Sequence, residues 1–177
     1  MVNVLPVTVV HDLFVQEGNN HIKNLILDYE KKNPVGMTEG SYVKAWASDY
    51  KTHLSTNVFS DYLNLILQYS QNLYNNLFST KEILGVEDFW LAHYRKGDYT
   101  SKHSHGNSSI SGCYYAHVEE GASPIIFEGQ GSIYPKNNTL IIFSSKLDHE
   151  VPVTEGERIL MSFNLYQTCQ INSSVLY

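Results

Sequence analysis

Arg158-Ile159-Leu160-Met161-Ser162-Phe163-Asn164-Leu165-Tyr166 alternates in character along its whole length. Successive side chains of an extended chain face opposite ways. Ile159, Met161, Phe163 and Leu165 therefore share one apolar face, and Arg158, Leu160, Ser162 and Asn164 share the other. Such a strand fits a barrel whose interior holds a polar ligand. The surrounding segment Glu157 to Gln167, and upstream Val86 to Tyr94, Ile110 to Val118, Pro124 to Glu128 and Thr139 to Ser144, are rich in β-branched and aromatic residues. Turn formers separate them: Gly97, Gly106, Gly121, Gly129-Gln130-Gly131 and Pro135-Lys136-Asn137-Asn138. Short strands with regular turn signals predict an antiparallel sandwich or barrel.

Ahead of residue 86 the period becomes helical. Asn19 to Lys32 carries Ile22, Leu25, Ile26 and Tyr29 at helical spacing, and Asn33-Pro34 stops it, because proline pushes the preceding residue out of the helical region. Gly36 to Ser55 reads as loop with short pieces. Ser60 to Phe78 is the strongest helix, with Ser60 as its expected N-cap and Tyr62, Leu65, Ile66, Tyr69, Leu73 and Leu77 as a core-facing stripe. The expected fold is mainly β with helices. A jelly-roll core over residues 86–170 is buttressed on one face by a mainly helical stretch with loops over 1–85, in a single domain.

At 177 residues and 20.2 kDa the chain is long enough to bury a core without disulfide or metal staples. Its 42% hydrophobic and 17% charged residues exclude a disordered tail and a coiled coil. Apolar runs such as Leu140 to Phe143 are too short to span a bilayer. A net charge of -6 with no basic patch argues against phosphate-driven nucleic-acid binding. The N-terminus lacks the layout of a signal peptide, so a cytoplasmic protein with Cys113 and Cys169 reduced is the expectation. The N-x-S/T triplets at Asn107, Asn137 and Asn172 then carry no meaning. No nucleophilic triad signature, G-x-G-x-x-G or P-loop occurs.

The candidate chemistry starts in Tyr94-Arg95-Lys96-Gly97-Asp98-Tyr99-Thr100-Ser101-Lys102-His103-Ser104-His105-Gly106. In an extended segment His103 and His105 point the same way and can bind one divalent metal. Alone, His-x-His is more often a surface turn. His149, 46 residues further on and just after the apolar run Leu140 to Phe143, changes the weighing, since a jelly roll can bring a late strand beside an early one. Arg158, nine residues after His149, could clamp a carboxylate through two parallel hydrogen bonds; the bland alternative is an edge-strand arginine in solvent. His11, His21 and His53 read as surface residues, His93 as packed in the core and His117 as core or rim. Cys113 reads as a small buried residue beside the pocket.

The order His-x-His, then Ser111-Gly112-Cys113-Tyr114-Tyr115, a late His, then Arg-x-x-x-Ser-Phe-Asn resembles the iron(II)- and 2-oxoglutarate-dependent oxygenases. More narrowly it is similar to the small oxygenases of bacteria and cyanophages related to prolyl hydroxylases. The resemblance is strongest from Tyr94 to Tyr166. It implies a double-stranded β-helix (jelly roll) holding Fe(II), with 2-oxoglutarate as co-substrate and O2 as oxidant. His103 would be the first ligand and His149 the distal one. Arg158 would bind the far carboxylate of 2-oxoglutarate, supported by Ser162, Tyr115 and Tyr94, and Asn164 would lie in the substrate pocket. The wider family places a carboxylate two residues after the first His, where this chain has His105, so the ligand set becomes three histidines, as in the narrower group. Asp148 points away along its strand and Asp98 reads as a turn residue, so neither replaces that carboxylate.

The implied function is a dioxygenase that hydroxylates a substrate and releases succinate and carbon dioxide, with no catalytic side chain beyond the metal ligands. Two alternatives stay open: a non-catalytic metal- or carbohydrate-binding jelly roll, and a cupin-like three-histidine dioxygenase without 2-oxoglutarate. The partner expectations are a small-molecule or peptidyl substrate, no nucleic acid and no membrane; a homodimer is compatible. Gly36 to Asn57 and Gly129 to Asn138 are the expected substrate-recognising loops.

Overall fold

The computed structural model describes residues 6–37, 43–79, 82–106 and 108–168. Along them run β1 (Thr8–His11), α1 (Gln16–Lys32), β2 (Val43–Lys44), β3 (Trp46–Ala47), α2 (Thr52–Ser55), α3 (Ser60–Phe78), β4 (Ile83–Tyr94), β5 (Tyr99–His103), β6 (Ile110–Val118), β7 (Ile125–Phe127), β8 (Gly131–Ile133), β9 (Thr139–Ser144), β10 (His149–Val151) and β11 (Arg158–Thr168). The strands form two sheets, β1-β9-β6-β11-β4-β3 and β2-β5-β10-β7-β8. Their ladders are antiparallel throughout. This is the mainly β jelly roll expected from the alternation. Short strands β1, β2 and β3 also come from the stretch read as helix and loop, and they supply edges to both sheets.

The alternation of β11 decides which layer each residue joins. Ile159, Met161, Phe163 and Leu165 are fully buried under α1 and α3, in one cluster with Ile22, Ile26, Leu63, Ile66, Phe89, Leu91 and Tyr114. Leu160 faces the other way, into a second cluster between the sheets with Ala92, Tyr94, Cys113, Tyr115, Ile125, Phe127, Ile141, Phe143 and Val151. Each fully buried Ile, Leu or Phe contributes roughly 1.5–3 kcal/mol. One glycine is required by this packing: a Cβ on Gly112 would stand 2.7 Å from the Ile141 carbonyl oxygen and closer still to the Phe163 ring.

The helices differ from expectation in detail. α1 starts at Gln16, ahead of Asn19, and ends at Lys32 as Asn33-Pro34 predicts, with Lys31 and Lys32 in the last turn, where cations suit the helix dipole. Ser60 is not the N-cap of α3; Phe59 is, and no side chain caps that end. The buried face of α3 is Leu63, Ile66 and Ser70, while Leu65, Tyr69 and Leu77 are exposed. The buried face is rotated from the expected stripe toward Ser70, whose hydroxyl donates to the Ile66 carbonyl at 2.8 Å, which lets a polar residue sit in the core face. No described helix is long and apolar enough to cross a membrane.

Candidate metal centre

The ladder between the short strands β5 and β10 sets His103 directly opposite His149. His105 lies two residues past the end of β5, where its backbone N–H donates to the Ser145 carbonyl at 2.8 Å. The three rings converge, with centroids 4.3 Å (His103–His149), 4.9 Å (His103–His105) and 5.1 Å (His105–His149) apart. One ring nitrogen from each lies within 4.8 Å of the others, so the three could hold one metal ion. Nδ1 of His103 is 2.9 Å from the Ser101 carbonyl and Nδ1 of His149 is 3.0 Å from the Leu147 carbonyl. A carbonyl only accepts, so both Nδ1 atoms carry the proton and the lone pair of each ring is on Nε2.

Electrostatics favour the same state. Burial lowers the His103 pKa, partly countered by the Ser101 carbonyl and Asp148. Burial and then His103 push His149 down to about 4. Burial and then the two neighbouring rings push His105 to about 3. All three rings are neutral at pH 7 and present lone pairs, the state that metal binding requires. Imidazole donors suit Fe, Zn, Cu and Ni.

These rings open on a cavity of about 380 Å³ between the sheets. Its other wall is the polar face of β11: Arg158, Leu160, Ser162 and Asn164 all line it. Arg158 is 1% exposed, in contrast to the solvent-facing edge arginine of the bland reading. Its guanidinium carbon sits 4.5 Å from the Tyr94 ring centroid and 5.7 Å from that of Tyr115. One Nη donates to the Ser123 carbonyl at 3.0 Å, while Nε is buried with no hydrogen-bond partner. Among the described residues no carboxylate pairs with it. A buried guanidinium in that condition is the unmet half of an ion pair. The Tyr94 hydroxyl meets Thr100 Oγ1 at 2.6 Å, tying the sheets together, and Tyr115 lies against Cys113 (3.4 Å). Burial raises the pKa of both phenols and lifts the Cys113 thiol to about 11, so all three are neutral and Cys113 is no nucleophile.

The remaining expectations divide. Asn164 lines the cavity, but its amide is engaged: Nδ2 donates to Asp88 Oδ2 at 3.0 Å and Oδ1 accepts from the Ser111 hydroxyl at 2.7 Å. Asp98 is a turn residue that accepts the Arg95 N–H at 2.8 Å. Asp148 is not on the cavity wall. His93 is buried as expected, yet it bridges two carboxylates rather than packing among apolar groups. His117 is carried away from the cavity by a bulge where β6 crosses β11, and points to Glu157. Of the two irregular segments, 36–57 supplies Met37, Val43, Ala47 and Tyr50 to the wall, with residues 38–42 outside the described residues; 129–138 supplies none. Cys169, Asn107 and Asn172 also fall outside them. Sequence reasoning missed Asp88, Trp90 and Thr100. Asp88, Trp90, Ala92 and Tyr94 alternate along β4 onto the cavity, which was a readable signal.

Residues 88–133 match the family model described as a putative 2OG-Fe(II) oxygenase. That span holds His103, His105 and Tyr115; His149 and Arg158 lie beyond it. No curated protein matches the chain. Among solved structures, a prolyl-4-hydroxylase from Pseudomonas putida aligns with TM-score 0.71 and 15% identity, covering 93% of this chain and 94% of that one. A viral collagen prolyl hydroxylase from Paramecium Bursaria Chlorella virus-1, in its 2OG complex, gives 0.70 and 16%, covering 90% and 94%. An oxidoreductase of the 2OG-Fe(II) oxygenase family from Burkholderia pseudomallei gives 0.62 and 14%, covering 90% and 84%. At such identities the likeness is one of fold. The resemblance read in the sequence is thus met twice, by a 2OG-Fe(II) oxygenase match across the strand and turn that carry two of the histidines and by the jelly roll of the prolyl hydroxylases.

Proposed function

We propose that the protein is an Fe(II)- and 2-oxoglutarate-dependent dioxygenase that hydroxylates its substrate and releases succinate and carbon dioxide. The observation that carries this reading is Arg158: a buried guanidinium with an orphaned Nε, on the wall of the cavity onto which three neutral imidazoles converge. His103, His105 and His149 would hold the metal through ring nitrogens. When bound, iron and 2-oxoglutarate supply the activation of O2 and the oxidation of a C–H bond.

The chain's own residues bind and orient. Arg158 offers Nε and its remaining Nη hydrogens to a carboxylate, and the Tyr94 and Tyr115 rings fix the plane in which it does so. Ser162, two side-chain repeats along β11 from Arg158, presents a hydroxyl to the same space. Phe127 and Phe143 pack on the His149 ring, at 5.9 Å and 4.7 Å, and exclude water from that side. Ser101 and Leu147 carbonyls hold the Nδ1 protons and so keep Nε2 turned inward. A closed structural metal site gives Arg158 nothing to bind, and a three-histidine dioxygenase without 2-oxoglutarate would take up O2 without forming succinate.

The test is succinate formation with Fe(II), 2-oxoglutarate and O2, repeated with Arg158→Ala. Removing the guanidinium is expected to raise the 2-oxoglutarate KM by about a hundredfold, the scale of a charge-assisted bidentate contact. Unchanged dependence on 2-oxoglutarate in the variant would refute the clamp.

A further inference from the structure

The cavity is lopsided in charge. Arg158 stands at one end of the β11 face and Asn164 at the other, six residues or roughly 20 Å of strand away. At the Asn164 end the charged side chains on the wall are Glu87 and Asp88. Asp88 accepts from Asn164, and Lys51 Nζ lies 2.9 Å from its other oxygen. Lys51 also donates to the Glu87 carbonyl, and the Glu87 carboxylate accepts from the Ser108 hydroxyl. Beside them the Tyr50 and Trp90 rings meet edge to face, 5.1 Å apart, and Trp90 is 6.0 Å from His105.

Each feature favours a cation. Carboxylate oxygens accept, and indole and phenol faces attract positive charge. An anion at this end would meet two carboxylates, whereas the unpartnered Arg158 Nε offers it a place at the other end. Lys51 already seats an ammonium against Asp88, on a flexible stem whose side chain is half exposed. An ion pair that exposed is weak, so an incoming ammonium can replace it at little cost.

We propose that this end is the substrate port, and that it takes an alkylammonium or alkylguanidinium through Asp88, Trp90 and Tyr50 so that the alkyl chain reaches toward the three histidines. The oxidation of that chain rests on the oxygenase reading; the binding does not. The same cation can come from a free amine or from a basic side chain of a peptide.

The probes are pentylammonium, pentanoate and an end-capped tripeptide with a central lysine. Each is titrated calorimetrically into the protein, with and without Fe(II) and 2-oxoglutarate under nitrogen. Pentylammonium is expected to bind about tenfold tighter than pentanoate, the scale of one partly exposed ion pair plus one cation–ring contact. Asp88→Asn should reduce that preference to the part owed to the rings, and Lys51→Ala, which vacates the carboxylate, should strengthen it. Tighter binding of the tripeptide than of the free amine points to a peptidyl source, and the reverse to a small metabolite. Equal binding of pentanoate, no binding of either cation, or an undiminished preference in Asp88→Asn overturns the proposal. If that happens while Arg158-dependent succinate formation persists, the port falls and the oxygenase reading stands. Cation selectivity without any 2-oxoglutarate binding has the opposite meaning.

Discussion

Two groups of histidines occupy this fold and are used in opposite ways. His103, His105 and His149 meet one another, the Nδ1 protons of His103 and His149 turn outward to carbonyls, and burial keeps all three rings uncharged. His93 is more deeply buried than His103 and His105, but Nδ1 and Nε2 each lie 2.7 Å from a carboxylate, Glu30 of α1 and Glu157 just ahead of β11. Carboxylates accept, so an N–H of the His93 ring is held as a donor between them. Arg95 adds a cation on Glu30 at 2.8 Å, and His117 lies 3.4 Å from Glu157. One group offers lone pairs to a ligand from outside. The other spends its donors internally, fastening a helix to the sheet that carries the cavity. The difference lies in the hydrogen-bond partners: carboxylates hold the His93 ring, and backbone carbonyls hold the Nδ1 atoms of His103 and His149.

The comparison is tested most severely by truncating one member of each group. His149→Ala should weaken metal binding by more than about a hundredfold, beyond the loss typical of an outer-shell change, as read by competition with a chelator. Its urea midpoint without metal should fall less than that of a variant at His93, because it gives up packing on Phe127 and Phe143 and a hydrogen bond to a carbonyl, not a bridge between two carboxylates. Next in size, His93→Leu should cost about 3 kcal/mol of folding stability, since Glu30 and Glu157 lose the ring that bridges them in a partly buried place. Its metal affinity should stay within about threefold of the wild type. The reverse pattern, a stability loss at position 149 and a metal loss at 93, would erase the distinction.

How much of this was legible in the sequence follows from what each residue's role depends on. The strict alternation of β11 is legible because both its faces are covered by other layers, so its reading fixes the helix side and the cavity side together. The convergence of His103 and His149 depends on the pairing of β5 with β10, which is three residues long, and no local pattern announces a strand so short and polar. Only the resemblance linked them. The clamp on His93 joins residues 63 and 64 positions apart in sequence, and a histidine alternating with Leu91 looks apolar until its tertiary neighbours are known. The α3 stripe was misjudged for the opposite reason: a helix with Leu, Ile and Tyr on several sides offers more than one apolar face, and the sheet selects between them.

Acid should separate the two groups as well. Burial raises the Glu30 pKa, but hydrogen bonds and charge from His93 and Arg95 outweigh it and leave the net value below the usual 4.5. A carboxylate depressed in the folded state stabilises fully above its unfolded pKa, and that contribution is lost as pH falls through the folded one. The wild type should therefore lose stability below about pH 5. Glu30→Gln, already lacking the charge, should show a shallower acid slope in urea titrations between pH 7 and 3. Equal slopes would mean that the His93 clamp is not an ionic one.

The smallest effect belongs to His117, and it discriminates between contact and coupling. His117 Nε2 is 3.4 Å from the Glu157 oxygen that His93 does not use, and its side chain is 26% exposed. Burial and then Lys23 lower its pKa, with Glu157 and Glu119 acting the other way. A solvent-screened pair at that distance is worth about 0–0.5 kcal/mol. His117→Asn should thus leave the urea midpoint nearly unchanged, and the double variant with His93→Leu should lose no more than the sum of the two single losses. A loss well above that sum would mean that His117 takes over Glu157 when His93 is gone, so that the clamp is a network shared by two histidines.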